Sequence, residues 1–278
     1  MLTHGIFAPH PPAIIPKIGG EETKKFEKTI QALLTVSLRL KQNPPQTLIL
    51  LTPHAEIEID KFVVRVPRGQ NFTASFEEFG VEGDAKIYAR DRLLTAQIIE
   101  GIHSRRMQTA ILEDEKLDFG SSIPLYFLAS ALPEIEIVNL GISLAGILEH
   151  QKLGEVIAEI SEKSKKQIAF IASGELSHRL AKNSPHGFFP PAAAWEEELI
   201  QNLENGDFEK ALRQDPFELD EVGECGMRPL AALLGAFKKI PHTHTLLSHE
   251  APGGIGCAVG FWERKVCNFT HLHLILSD

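Results

Sequence analysis

The sequence predicts an α/β fold, and three observations carry that expectation. Short apolar runs recur along the 278 residues, with longer amphipathic stretches between them. Two of the runs, 48–52 and 168–173, are continuously apolar, which suits strands covered on both faces. No Pro/Gly/Ser linker, low-complexity tract or repeat divides the chain. The expected architecture is therefore a single domain over 1–278, with a central, largely parallel or mixed sheet flanked by helices on both faces.

Each element has a local reason. Residues 1–9 read as the first strand. Phe26, Ile30, Leu33, Leu34 and Leu38 fall at helical spacing, with Lys and Glu between them, so 21–42 reads as a helix. Strands follow at 47–53 and 62–67, and 68–82, with Gly69, Gly80 and several phenylalanines, reads as an excursion over the sheet. A helix is expected over 83–105, a strand over 107–113 and a helix over 121–131, where a serine after Asp118-Phe119-Gly120 is the candidate N-cap. A strand at 134–142, a helix at 146–165 and a strand at 167–173 continue the alternation. Helices at 191–213, broken at Gly206-Asp207, and at 226–239 precede strands at 243–248 and 256–262. The partly alternating 268–276 suits a half-exposed or edge strand.

Composition narrows the function classes. Hydrophobic residues make up 43% and charged residues 23%, ordinary for a soluble globular protein. A net charge of −9 without a basic run argues against a nucleic-acid partner held through phosphates. The start carries no basic segment followed by a long apolar one, so no secretory signal is expected, and no run approaches the roughly 20 apolar residues of a membrane helix. Cys225, Cys257 and Cys267 are odd in number and form no Cys-x-x-Cys pair, which fits a reducing cytoplasm. A symmetric dimer is the default expectation for assembly.

The chemistry concentrates in histidines at strand ends. Ala-Pro-His places His10 after the first strand, and Thr-Pro-His places His54 after the second. In an open α/β sheet, ligands gather at the carboxyl ends of the strands. Two neutral imidazoles there could share a metal ion. Capping of a strand end is the plainer role for either histidine alone, and the repeated context favours the metal. The strand at 168–173 runs into Ser-Gly-Glu-Leu-Ser-His, which puts His178 past a third strand end, as an acid/base or a cap. Asp220-Glu221-Val222-Gly223-Glu224-Cys225-Gly226 opens a helix, where a carboxylate is also a natural dipole cap. Glu224 would complete a two-His-one-carboxylate set that leaves positions open on Fe(II), with Asp220 and Glu221 as alternative carboxylates and Cys225 as a softer ligand. Ser-His-Glu-Ala-Pro-Gly-Gly over 248–254 reads as a hairpin turn. Glycine-rich nucleotide loops, a Gly-x-Ser-x-Gly elbow and His-Glu-x-x-His are missing.

Together these segments resemble the class III extradiol ring-cleaving dioxygenases, the LigB-like superfamily that also contains the Memo-like proteins. The resemblance rests on Ala-Pro-His-Pro-Pro at His10, Thr-Pro-His at His54, Gly-Glu-Leu-Ser-His at His178, Gly-Glu-Cys-Gly at 223–226 and Glu-Ala-Pro-Gly-Gly-Ile-Gly at 250–256, in the family's order and across nearly the whole chain. It implies Fe(II) on His10, His54 and Glu224, with Zn, Cu or Mn fitting the same donors, and His178 as the adjacent acid/base. It also implies a small catechol-like or aminophenol-like substrate, opened with O2 next to its hydroxyls. One position departs from the family pattern. Where active relatives carry Asp-His-Gly, this chain has Asp118-Phe119-Gly120, and phenylalanine moves no proton. Losing an acid/base costs roughly a hundredfold in rate. The Memo-like branch offers another third ligand, a cysteine in Cys-Gly-Arg, loosely matched by Cys225-Gly226-Met227-Arg228. Such a protein would bind metal in a redox or partner-directed role without opening a ring.

Overall fold

The computed structural model describes residues 1–265, apart from 131 and 133. The strand expected over 268–276 lies outside the described residues. Ten strands form one mixed sheet: β1 (Leu2–Ala8), β2 (Thr47–Thr52), β3 (Lys61–Val66), β4 (Asn71–Phe76), β5 (Val81–Arg90), β6 (Gln108–Glu113), β7 (Glu136–Gly141), β8 (Ile168–Ser173), β9 (His242–Glu250) and β10 (Cys257–Arg264). The helices are α1 (Pro16–Gly19), α2 (Glu27–Gln42), α3 (Arg92–Ser104), α4 (Phe119–Leu128), α5 (Ile147–Lys163), α6 (Pro191–Asn205), α7 (Phe208–Ala211), α8 (Pro216–Val222) and α9 (Met227–Phe237).

The sheet runs β4-β5-β7-β2-β8-β1-β10-β9, and β3 with β6 branches from β7. β7 serves both branches because β5 pairs with its first residues, Glu136 and Ile137, while β3 pairs antiparallel with Asn139 to Gly141. The centre, β7-β2-β8-β1, is parallel. β1, β2 and β8 are buried from end to end, as the apolar runs of β2 and β8 lead one to expect. Alternate residues face opposite layers. Ile49, Leu51, Phe170 and Ala172 pack with α3, α5, α6 and α9, whereas Leu48, Leu50, Ala169 and Ile171 pack with α2 and α4. Helices thus cover both faces.

Several elements differ from the sequence reading. Residues 71–90 form the hairpin β4–β5, where the sequence suggested an excursion and the start of a long helix. β5 is mostly exposed, so it lacks the apolar stripe that marks a buried strand. The helix begins only at Arg92, where the Asp91 carboxylate accepts the Leu94 N–H at 3.0 Å. Likewise Asp118, not a serine, caps α4 by accepting the Ser121 N–H. The break at Gly206 is present, with φ of 76° ending α6. The segment around Pro252–Gly254 makes the tight turn of the β9–β10 hairpin.

Candidate metal centre

The parallel core delivers three strand ends to one place. β8 lies between β1 and β2, with Ala8 paired to Ser173 and Leu51 to Ala172. The residues that follow each strand, His10, His54 and Glu175, therefore emerge side by side. The Nε2 atoms of His10 and His54 lie 2.9 Å apart. His10 is buried, and His54 is exposed. Behind His10, Nδ1 lies 2.8 Å from the Ser173 Oγ, which also contacts the Gly120 carbonyl. A carbonyl only accepts, so the single serine proton goes to Gly120. The His10 Nδ1–H must then donate to Ser173, which leaves the Nε2 lone pair aimed at His54.

Burial, opposed by Glu175 and Asp118, lowers the His10 pKa. Burial and then the neighbouring His10 lower that of His54 to about 4. Both rings are therefore neutral near physiological pH, the form that binds metals. Asp118 stiffens the support: it accepts from the Thr52 hydroxyl at 2.7 Å, and Thr52 in turn accepts the His54 N–H at 3.1 Å. Phe119 lies against His54 with ring centres 4.2 Å apart and meets His10 edge-on at 5.7 Å.

Cys225, at the entrance to α9, brings its Sγ to 3.7 Å from the His10 Nε2. His10, His54 and Cys225 are one group whose donor atoms all lie within 4.8 Å. Glu224 is not in that group. Its carboxylate turns back to accept the Met227 N–H at 2.6 Å, at the start of α9, and burial, partly offset by that contact, raises its pKa to about 7. The dipole-cap role weighed for it in the sequence is the one its contact displays. Burial pushes the Cys225 thiol well up, with Glu175 adding to the effect.

His178 comes to the same place through Glu175. Its Nε2 lies 2.8 Å from the Glu175 Oε2, which is 4.0 Å from the His10 Nε2. Burial works against charge on both partners. For Glu175 the nearby His10 and the hydrogen bond from His178 outweigh it and lower the pKa; for His178 the hydrogen bond and charge of Glu175 raise it. The pair thus favours imidazolium with carboxylate. Glu175 and Ser173 were missed as site residues, although both stand in the run Ser-Gly-Glu-Leu-Ser-His that singled out His178.

The donors fit a metal ion. Two imidazole bonds of about 2.1 Å meeting near a right angle put their nitrogens about 3 Å apart, and a thiolate bond of about 2.3 Å near the tetrahedral angle puts sulfur about 3.6 Å from nitrogen. The observed separations are 2.9 and 3.7 Å.

Comparison with known proteins gives the family. The family model described as the catalytic LigB subunit of aromatic ring-opening dioxygenase matches residues 4–260. The chain belongs to the LigB family. Protein CA_C1420 of Clostridium acetobutylicum is 28% identical over 260 residues, covering 90% of this chain and 55% of that protein. The MEMO1 family protein Mbar_A1422 of Methanosarcina barkeri is 29% identical over 119 residues, 40% of each protein. The chain thus spans about half the length of the curated relatives it matches. The crystal structure of uncharacterized protein JW3007 from Escherichia coli K12 shares the fold, with a TM-score of 0.60 at 16% identity over 93% of this chain and 99% of that one. Among the described residues no helix is long and apolar enough to cross a membrane.

Proposed function

We propose that this LigB-family chain is a thiolate-containing metal protein of the Memo-like kind, with the ion held by His10, His54 and Cys225. The observation that carries this reading is the Cys225 sulfur in the group of the two histidines, while Glu224 is engaged at the helix start. A sulfur ligand selects softer ions such as Cu(I) and Zn(II) more strongly than a carboxylate does. The bound ion would supply Lewis acidity and, if iron or copper, one-electron chemistry. The protein's own residues do the rest. Ser173 fixes the His10 tautomer, Phe119 screens the His54 face from water, and Glu175 keeps a proton on the His178 Nε2. Metal analysis of the purified protein tests the reading. His10→Ala/His54→Ala and Cys225→Ser should each hold less metal than wild type, and Glu224→Gln should hold the same amount. Equal metal in wild type and the double variant would overturn it.

A second reading, opening of a small catechol-like or aminophenol-like ring with O2 on Fe(II), is favoured by His178, held by Glu175 beside the centre, and by the family the chain belongs to. There His178 would move the substrate proton, and Phe119 would offer an aromatic wall. Iron-loaded protein given a catechol panel in air should then consume O2. No uptake across the panel removes this reading and leaves the first standing.

A further inference from the structure

Cys225 belongs to two donor groups at once. Besides His10 and His54, its sulfur lies within 4.8 Å of donor atoms on Glu175 and His178. The second group has what a ligand site needs. Glu175 is 5% exposed, yet its Oε1 has no hydrogen-bond partner. A buried carboxylate oxygen without a partner is uncommon in folded proteins and calls for one. The Glu175 N–H already points at the Cys225 sulfur, at 3.2 Å, so the loop after β8 and the start of α9 are fixed relative to each other before any ion enters.

We propose that this pocket binds a second metal ion, on Glu175, His178 and Cys225, with the Cys225 thiolate bridging it to the ion on His10 and His54. This inference rests on the reading of His10, His54 and Cys225 as a metal centre, because a bridging thiolate needs an ion on each side of it. The separation of 2.8 Å between the His178 Nε2 and the Glu175 Oε2 is close to what two bonds of about 2.1 Å meeting near a right angle would span. A sulfur, an imidazole nitrogen and a carboxylate oxygen suit Zn(II), which accepts all three donors and imposes little geometry. Entry of the second ion would release the Nε2 proton of His178 to solvent, so that the nitrogen now facing Glu175 turns its lone pair to the metal. Bidentate binding by Glu175 would also give its unpartnered Oε1 a partner.

Equilibrium dialysis of the full chain against Zn(II), followed by metal analysis, tests this. Wild type should bind two equivalents. Glu175→Gln should weaken the second by tenfold or more and read as one, and its retained equivalent shows that the variant is folded. His178→Phe should do the same. His10→Ala/His54→Ala should keep the equivalent on Glu175 and His178. One equivalent in wild type, lost in His10→Ala/His54→Ala, would overturn the second site and leave the first intact. Two equivalents in both wild type and Glu175→Gln would also overturn it. No bound Zn(II) in wild type would overturn both.

Discussion

Ser173 shows how much a single hydroxyl decides. It is not one of the donor residues, yet its contacts with Gly120 and His10 settle which nitrogen of His10 is free. Removing such an outer partner typically weakens metal binding by about 10–100-fold. Ser173→Ala should do so, and because it leaves the buried His10 Nδ1 and Gly120 carbonyl without their partner it should also cost about 1–3 kcal/mol, measured as a Zn(II) affinity beside a urea titration. An affinity equal to wild type would mean that the tautomer is set elsewhere. At this scale the histidines were the legible part of the site. His10, His54 and His178 each follow a strand within a few residues, so pattern alone put them at one edge of the sheet. The third donor of the proposed centre was not legible in the same way. Glu224 and Cys225 are neighbours in sequence, and whether the carboxylate or the sulfur turns inward depends on the Met227 N–H at the start of α9, a contact that only the folded chain reveals.

Between elements, the centre depends on how closely the β8 loop approaches α9. Gly174 and Gly226 meet there: a Cβ on Gly174 would lie 2.3 Å from the Gly226 Cα, and one on Gly226 would lie 2.7 Å from the Glu175 carbonyl oxygen. Backbone cannot yield as a flexible side chain does. Gly226→Ala should therefore push Cys225 away from His10, cost about 1–3 kcal/mol and lower metal content. Gly69→Ala, where an added Cβ meets nothing within 4 Å, is the control and should stay within about 0.5 kcal/mol of wild type. Denaturation midpoints and metal analysis of the two variants check this, and equal behaviour would show that the approach is not needed. The same scale explains what the sequence concealed. The central strands were readable because burial on both faces leaves an apolar run with no helical period. The β4–β5 hairpin was not, because β5 is covered on neither face for most of its length and its residues alternate weakly. α8 was missed for its brevity, although Asp215 before Pro216 marks its start: the Asp215 carboxylate accepts the Phe217 N–H at 2.8 Å.

Across the whole molecule, stability is coupled to pH through histidines far from the metal centre. His4, on β1, is fully buried and stacked on Phe261, and burial lowers its pKa to about 4. His150, on α5, packs edge-on against Phe62; its Nδ1–H faces the Gly146 carbonyl, its Nε2 accepts the Ser143 N–H, and burial lowers its pKa to about 4 as well. In the unfolded chain both return to about 6.5. The unfolded state therefore binds more protons between those two values. The stability these neutral rings contribute is complete above about pH 6.5 and is lost progressively as pH falls to about 4. Between pH 7 and pH 5 each should cost about 2 kcal/mol. Glu224 works the other way: its raised pKa makes the folded state the better proton binder between about 4.5 and 7, so part of the histidine loss is offset. A net curve for wild type alone therefore does not isolate the effect, whereas a comparison of variants does. His4→Phe keeps an aromatic ring against Phe261 and removes one titrating group. Its urea midpoint should fall less than that of wild type between pH 7 and pH 5, by the equivalent of about 2 kcal/mol. Parallel curves for the two proteins would mean that His4 takes up its proton without unfolding cost, and that the sheet accommodates a charge on β1.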